Sequence, residues 1–227
     1  MDQPARAAVV RQIAEVVCGG VLGHPARVAV DGVSAVGKST LAAELVEAVA
    51  AGGRPAIHLS MDGYHHPRAR RYRQGRRSAA GYYEDAFDFS AFAEQVLIPL
   101  GPRGDRRYRV KLRDLATDAL VEEPLREAPA DAVVVVDGSF LQRDELFEHW
   151  DHRIFVDVAL GEARAWGVAR DAEQLGGRDE AERLYDERYH AAARRYLAEV
   201  RPATRASLLV HNDDPANPQL EVPAAGG

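Results

Sequence analysis

The sequence predicts an α/β fold, a five-stranded parallel sheet with helices on both faces, and three observations carry that expectation. Short apolar runs alternate with helix-periodic segments along the chain, the pattern of parallel strands joined by helical crossovers. The run Gly32-Val33-Ser34-Ala35-Val36-Gly37-Lys38-Ser39 satisfies G-x-x-x-x-G-K-[ST] and lies between an apolar run and a helix-periodic segment, the context in which such a loop cradles phosphates. Val133-Val134-Val135-Val136 is an unbroken β-branched run ending in Asp137-Gly138, as expected of a strand covered on both faces. At 227 residues and 46% hydrophobic content, the chain suits one domain over residues 1–227.

Taken in order, the elements begin with a helix over Pro4–Cys18. Strands are expected at Arg27–Asp31, Pro55–Ser60, Ala132–Asp137, Arg153–Val158 and Ser207–Val210. Helices are expected after the phosphate loop, with apolar residues at i, i+1, i+4 and i+5, and over Ser90–Leu97, Arg143–Glu148, Glu162–Leu175 and Asp179–Val200, the last ended by Pro202. Three segments break the alternation. Residues 62–88 read as a long polar loop, residues 101–129 as an arginine-rich stretch able to hold a small edge hairpin, and Asn212–Gly227 as a frayed Pro/Gly tail.

Composition narrows the function classes. A formal net charge of −6 argues against a general binder of nucleic acid or anionic membrane. The single cysteine, Cys18, cannot form an internal disulfide and reads as a small buried hydrophobe, which fits a reducing, cytoplasmic setting. No apolar run is long enough to span a bilayer, and the amphipathic N-terminus does not read as a secretory signal.

In a parallel sheet, ligands gather outside the carboxyl ends of the strands, so the residues just after each strand matter most. In the loop, Gly32 and Gly37 allow backbone N–H groups to turn inward, with Ser34, Ala35, Val36 and Thr40 completing the cradle. Lys38 can reach the β- and γ-phosphates, and the Ser39 hydroxyl can join a Mg²⁺ shell. Asp62, after the second strand, can deprotonate an attacking hydroxyl; it equally suits a turn-capping Asp beside Gly63. Asp137 has the form of a Mg²⁺-organising acid at a strand end. Residues 164–180, with Arg164, Arg170, Asp171, Arg178 and Asp179 around Gly176-Gly177, suit a lid closing over phosphates or a solvated helix face.

Six of the ten residues from Arg68 to Arg77 are arginine, which fits a site for RNA or another anion, or a mobile basic loop. Tyr82-Tyr83-Glu84-Asp85-Ala86-Phe87-Asp88 mixes rings with carboxylates, a combination that can stack on a sugar or base and bond its hydroxyls, or anchor the loop.

The order of these motifs resembles the uridine kinase branch of the uridine kinase, phosphoribulokinase and pantothenate kinase family over most of the chain. Ser60-Met61-Asp62-Gly63-Tyr64 is similar to the family's D-x-F/Y segment carrying the base, and Asp85-Ala86-Phe87-Asp88 to its D-A-F-D. Asp114 with Thr117 resembles the Y-D-x-x-x-H/T region that contacts the nucleoside, Val136-Asp137-Gly138 its strand ending in Glu-Gly, and Arg170-Asp171 with Arg178-Asp179 its lid. The resemblance implies a P-loop kinase fold, ATP and Mg²⁺ as cofactors, and transfer of the γ-phosphoryl to an alcohol of a small molecule, such as the 5′-hydroxyl of a uridine- or cytidine-like nucleoside. It implies Asp62 and Lys38 as catalytic residues, Arg170 and Arg178 on the donor phosphates, and Tyr64, Tyr82, Tyr83, Asp85, Arg113 and Asp114 on the acceptor. The partners it implies are that acceptor and, in a homo-oligomer, a second copy of the chain, with no nucleic acid and no membrane. The chain also departs from the pattern: Ala35 and Val36 replace Gly and Ser, Arg113 replaces an aromatic, and Tyr82 stands where an acid reads the ribose. These changes, with the arginine enrichment, invite an anionic or unusual acceptor such as pantothenate, a sugar or another metabolite. A P-loop regulatory switch is the alternative from another class.

Overall fold

The Val133–Val136 run is the physical centre of the fold. In a computed structural model that describes residues 4–223, β1 (Ala26–Asp31) and β2 (Ala56–Ser60) flank β5 (Val133–Gly138) in parallel register, with Val30 and Ser60 both opposite Asp137. Alternation along β5 splits the core. Val134 and Val136 pack with Phe92, Leu97 and Tyr196 on one face, while Val133 and Val135 pack with Ile13, Leu41 and Leu45 on the other. A strand buried on both faces needs apolar side chains at every position.

Helix α1 (Pro4–Cys18) and α2 (Lys38–Ala51) cover the second face. Cys18 is half-buried against that core. The expected loop after β2 is instead a chain of short helical pieces: a 3₁₀ turn (Met61–Tyr64), α3 (Arg68–Arg71) and α4 (Ala79–Asp85). Buried Met61, Tyr64, Tyr83 and Phe87 anchor it, and apolar burial orders a segment whose polarity suggests a loop. Helix α5 (Phe89–Phe92) runs into a π-helical turn, Ala93–Leu97. The arginine-rich stretch does hold a hairpin, β3 (Arg107–Tyr108) with β4 (Arg126–Glu127), as a separate two-stranded sheet.

Beyond β5 come α6 (Asp144–Phe147), β6 (His152–Asp157) and α7 (Leu160–Leu175). Helix α8 (Arg178–Leu184) passes through a second π-helical turn, Tyr185–Tyr189, into α9 (His190–Glu199). Pro202 opens a further short helix, α10 (Pro202–Arg205), with its ring at the first position, where its missing N–H costs nothing. Strand β7 (Leu208–His211) then pairs parallel to β6, and β8 (Gln219–Glu221) returns antiparallel to β7.

The sheet order is β2-β5-β1-β6-β7-β8. The five expected parallel strands are present, and the sheet gains a sixth, antiparallel one from the segment expected to fray. Backbone pairing with the open edge of β7 holds β8, a possibility invisible to local composition; residues 224–227 lie outside the described region. The connection from β1 runs to one side of the sheet and that from β5 to the other, so a topological switch point forms at their carboxyl ends. Among the described residues no helix is long and apolar enough to cross a membrane.

Candidate active site

The phosphate loop leaves β1 through Gly32, where an added Cβ would lie 2.7 Å from the Val156 carbonyl oxygen. Gly37, at φ 90°, turns the chain into α2. Ala35 adopts φ 69°, a left-handed conformation that costs a residue with a Cβ about 1–2 kcal/mol. Its methyl packs against a small cluster of Val168, Ala181 and Tyr185 from α7 and the segment after it, contacts a glycine could not make.

Ser39 Oγ donates to Asp137 Oδ2 at 2.6 Å, and His58 Nε2 donates to Oδ1 at 2.9 Å. Burial raises the Asp137 pKa, but these bonds and the Lys38 charge outweigh it and hold the carboxylate below its usual range. Lys38 Nζ donates to the Val33 carbonyl at 2.7 Å. Burial lowers its pKa, opposed by Asp31, Asp137 and Asp62. Asp31 is fully buried and accepts from Gly32 N, Leu141 N, Gln142 Nε2 and the Tyr196 hydroxyl; it braces the loop from beneath.

Lys38, Ser39 and Asp137 open on a cavity of about 410 Å³. Ser34, Ala35, Lys38 and Ser39 form its floor, Asp62 and Asp137 stand at the strand ends, and Arg170, Asp171 and Leu175 of α7 form a roof. Arg170 is bidentate to Asp171, which also accepts from the Tyr185 hydroxyl at 2.7 Å. The far wall holds Arg68, Arg71, Tyr72, Tyr82, Arg188 and Tyr189.

Other expected residues stand elsewhere. Gly32 and Val36 are buried beneath the loop, and Gly37 and Thr40 line a second cavity of about 320 Å³ with Arg6, Glu44, Trp166, Asn212 and Pro215. Arg178 points away at the start of α8 and pairs with Glu182. Tyr64 is fully buried, its hydroxyl donating to the Arg109 carbonyl at 2.6 Å. Tyr83 is packed against Phe140 beneath Arg143 and Arg195. Asp85 is buried as the shared partner of Arg70, Arg73 and Gln74. Asp114 accepts from Thr117, and Arg113 donates to the Asp118 carbonyl. None of Tyr64, Tyr83, Asp85, Arg113 and Asp114 lines the cavity; their contacts are with other protein groups.

Several site residues carry no motif. His58 reaches Asp137 diagonally across the β2–β5 pair, and Arg188, with Tyr185 and Tyr189, arrives on the π-helical turn. The only sequence signal for Arg188 is the aromatic pair bracketing it; a π-helical turn, common at functional sites, breaks the helical period that would locate its face.

No family model and no curated protein matches the sequence. Solved structures do. A structure described as a possible uridine kinase from Bacillus stearothermophilus matches 88% of this chain and 96% of its own at 20% identity, TM-score 0.69. One named provisionally as a fructose transport system kinase from Silicibacter sp. TM1040 matches 85% of this chain and 94% of its own at 25% identity, TM-score 0.70. D-glycerate 3-kinase from Cryptococcus neoformans matches 82% of this chain and 90% of its own at 14% identity, TM-score 0.52. The chain has the P-loop kinase fold that the motif order implied.

Proposed function

We propose that the protein is an ATP-dependent phosphotransferase that moves the γ-phosphoryl group to a hydroxyl of a small molecule. The observation that carries this reading is the placement of Asp62, whose carboxylate accepts no hydrogen bond among the described residues, in one cavity with the phosphate loop, Asp137 and Arg170. The acceptor oxygen attacks γ-phosphorus, the bond to the β,γ-bridging oxygen breaks, ADP leaves, and Asp62 takes the hydroxyl proton. Lys38, the loop amides and Arg170 hold the donor phosphates.

Ser39 and Asp137 present adjacent hard oxygen donors, and a hydroxyl–carboxylate pair of this kind fits Mg²⁺. When bound, that ion supplies charge neutralisation across the phosphates. The second cavity, reached from the same loop through Gly37 and Thr40, is where we place the donor base, with Trp166 as its apolar wall. The motif resemblance implies a nucleoside as the acceptor, while the departures from the motif at Tyr82 and Arg113 leave pantothenate, a sugar or an anionic metabolite as alternatives.

ADP formation measured with and without nucleosides, pantothenate and sugars tests the reading, and turnover should require an acceptor. ADP released equally fast with none present would favour the nucleotide-dependent switch. Asp62→Asn should keep nucleotide binding and cut kcat about 10²-fold or more; unchanged kcat would remove Asp62 from the mechanism.

A further inference from the structure

The six arginines of residues 68–77 do not act as one basic patch. Arg70 and Arg73 neutralise buried Asp85, and Arg77 pairs with Glu180. Arg68 and Arg71 instead line the active-site cavity, where Arg188 joins them.

Arg188 is 4% exposed, and among the described residues no carboxylate lies within 4.0 Å of it. Its Nη1 donates to the carbonyls of Arg76 and Ser78 at 3.0 and 3.4 Å, and the guanidinium lies 4.8 Å from the Tyr82 ring centre and 5.2 Å from that of Tyr72. Carbonyls and π faces offset part of the cost of burying a cation, but an unpaired buried charge remains expensive. Arg71, 5% exposed, pairs with Asp118 through Nη2 at 3.2 Å, while its buried Nε has no partner among the described residues. Asp62, His65, Arg71 and Arg188 line the same cavity, and the three charged groups all act electrostatically on the buried His65 ring. Two buried guanidiniums with unused donors face a cavity whose other end already holds Lys38 and Arg170 for the donor.

We infer that the acceptor is anionic, and that Arg71 and Arg188 bind its carboxylate or phosphate monoester while Asp62 meets its hydroxyl. This rests on the phosphotransfer reading and specifies its acceptor class. A planar guanidinium fork matches either group bidentately, whereas a neutral nucleoside leaves the Arg188 charge uncompensated and gives the Arg71 Nε no anionic partner. Arg68, exposed at the rim, adds attraction at longer range.

The test uses protein saturated with Mg²⁺ and a non-hydrolysable ATP analogue, so that donor sites are filled. It is titrated calorimetrically with matched pairs: glycerol and glycerate, pantothenol and pantothenate, ribose and ribose 5-phosphate, with uridine alongside. The same compounds are assayed for phosphorylation with ATP. At least one anionic member should bind about 10-fold or more tightly than its neutral partner, and which of carboxylate or phosphate succeeds identifies the group. Arg188→Gln should abolish that preference; Arg68→Ala, an exposed position that leaves folding intact, should reduce it several-fold. The inference is overturned if uridine or another neutral alcohol does as well as every anion, or if no anion binds the saturated protein. It is equally overturned if Arg188→Gln raises only the KM for ATP. Failure of the analogue itself to bind, or full activity of Asp62→Asn, would instead defeat the phosphotransfer reading.

Discussion

His58 and Ser39 grip Asp137 from opposite sides, one oxygen each. The arrangement leaves the carboxylate ionised and aimed at the loop, so His58 acts as a positioning residue for the proposed cation. His58→Ala should raise the Mg²⁺ concentration needed for half-maximal activity about 10-fold, the scale on which such supporting partners act. Binding of the ATP analogue without metal, followed by calorimetry, should stay unchanged. An unaltered Mg²⁺ dependence would make His58 a bystander. Asp137 and Ser39 were legible in the chain because each belongs to a spaced motif, whereas His58 became visible only when β2 lay beside β5.

At the level of elements, the roof of the cavity is set by the meeting of α7 with the turn that follows α8. Gly167 permits it: a Cβ there would lie 2.2 Å from the Tyr185 ring, and the ring's close approach is what carries its hydroxyl to Asp171 and so steadies Arg170. Gly167→Ala should displace Tyr185, destabilise the protein by about 1–3 kcal/mol as overpacked cores do, and lower kcat by releasing Asp171. Urea unfolding and steady-state kinetics read the two effects. A variant normal in both would show that Tyr185 moves aside without consequence for Arg170. The arginines of residues 164–180 stood out as a cluster, yet their places diverged once the helices packed: Arg170 roofs the cavity, and Arg178 faces solvent.

Across the whole molecule, five histidines among the described residues, His65, His66, His149, His152 and His190, are held below the ordinary imidazole value of 6.5 by burial. The native state therefore binds fewer protons than the unfolded chain between pH 6.5 and the lowered native values, so stability is lost as pH falls through that window. The urea midpoint should be lower at pH 5.5 than at pH 7.5. An equal or higher midpoint at pH 5.5 would mean that these rings remain accessible to protonation in the folded protein.

Local pattern determined the parallel strands, the phosphate loop and the acids at the strand ends, because strand burial, glycine geometry and motif spacing are properties of neighbouring residues. Tertiary structure decided what local pattern could not. It turned an apparent loop into helices through the burial of Met61, Tyr64, Tyr83 and Phe87, and added β8 by edge pairing. It placed Tyr64, Tyr83, Asp85, Arg113 and Asp114 outside the cavity lining and brought Arg188 into the cavity from more than a hundred residues beyond Arg71. Which charges are neutralised and which are left facing a cavity depends on partners distant in sequence, and chain folding alone brings those together.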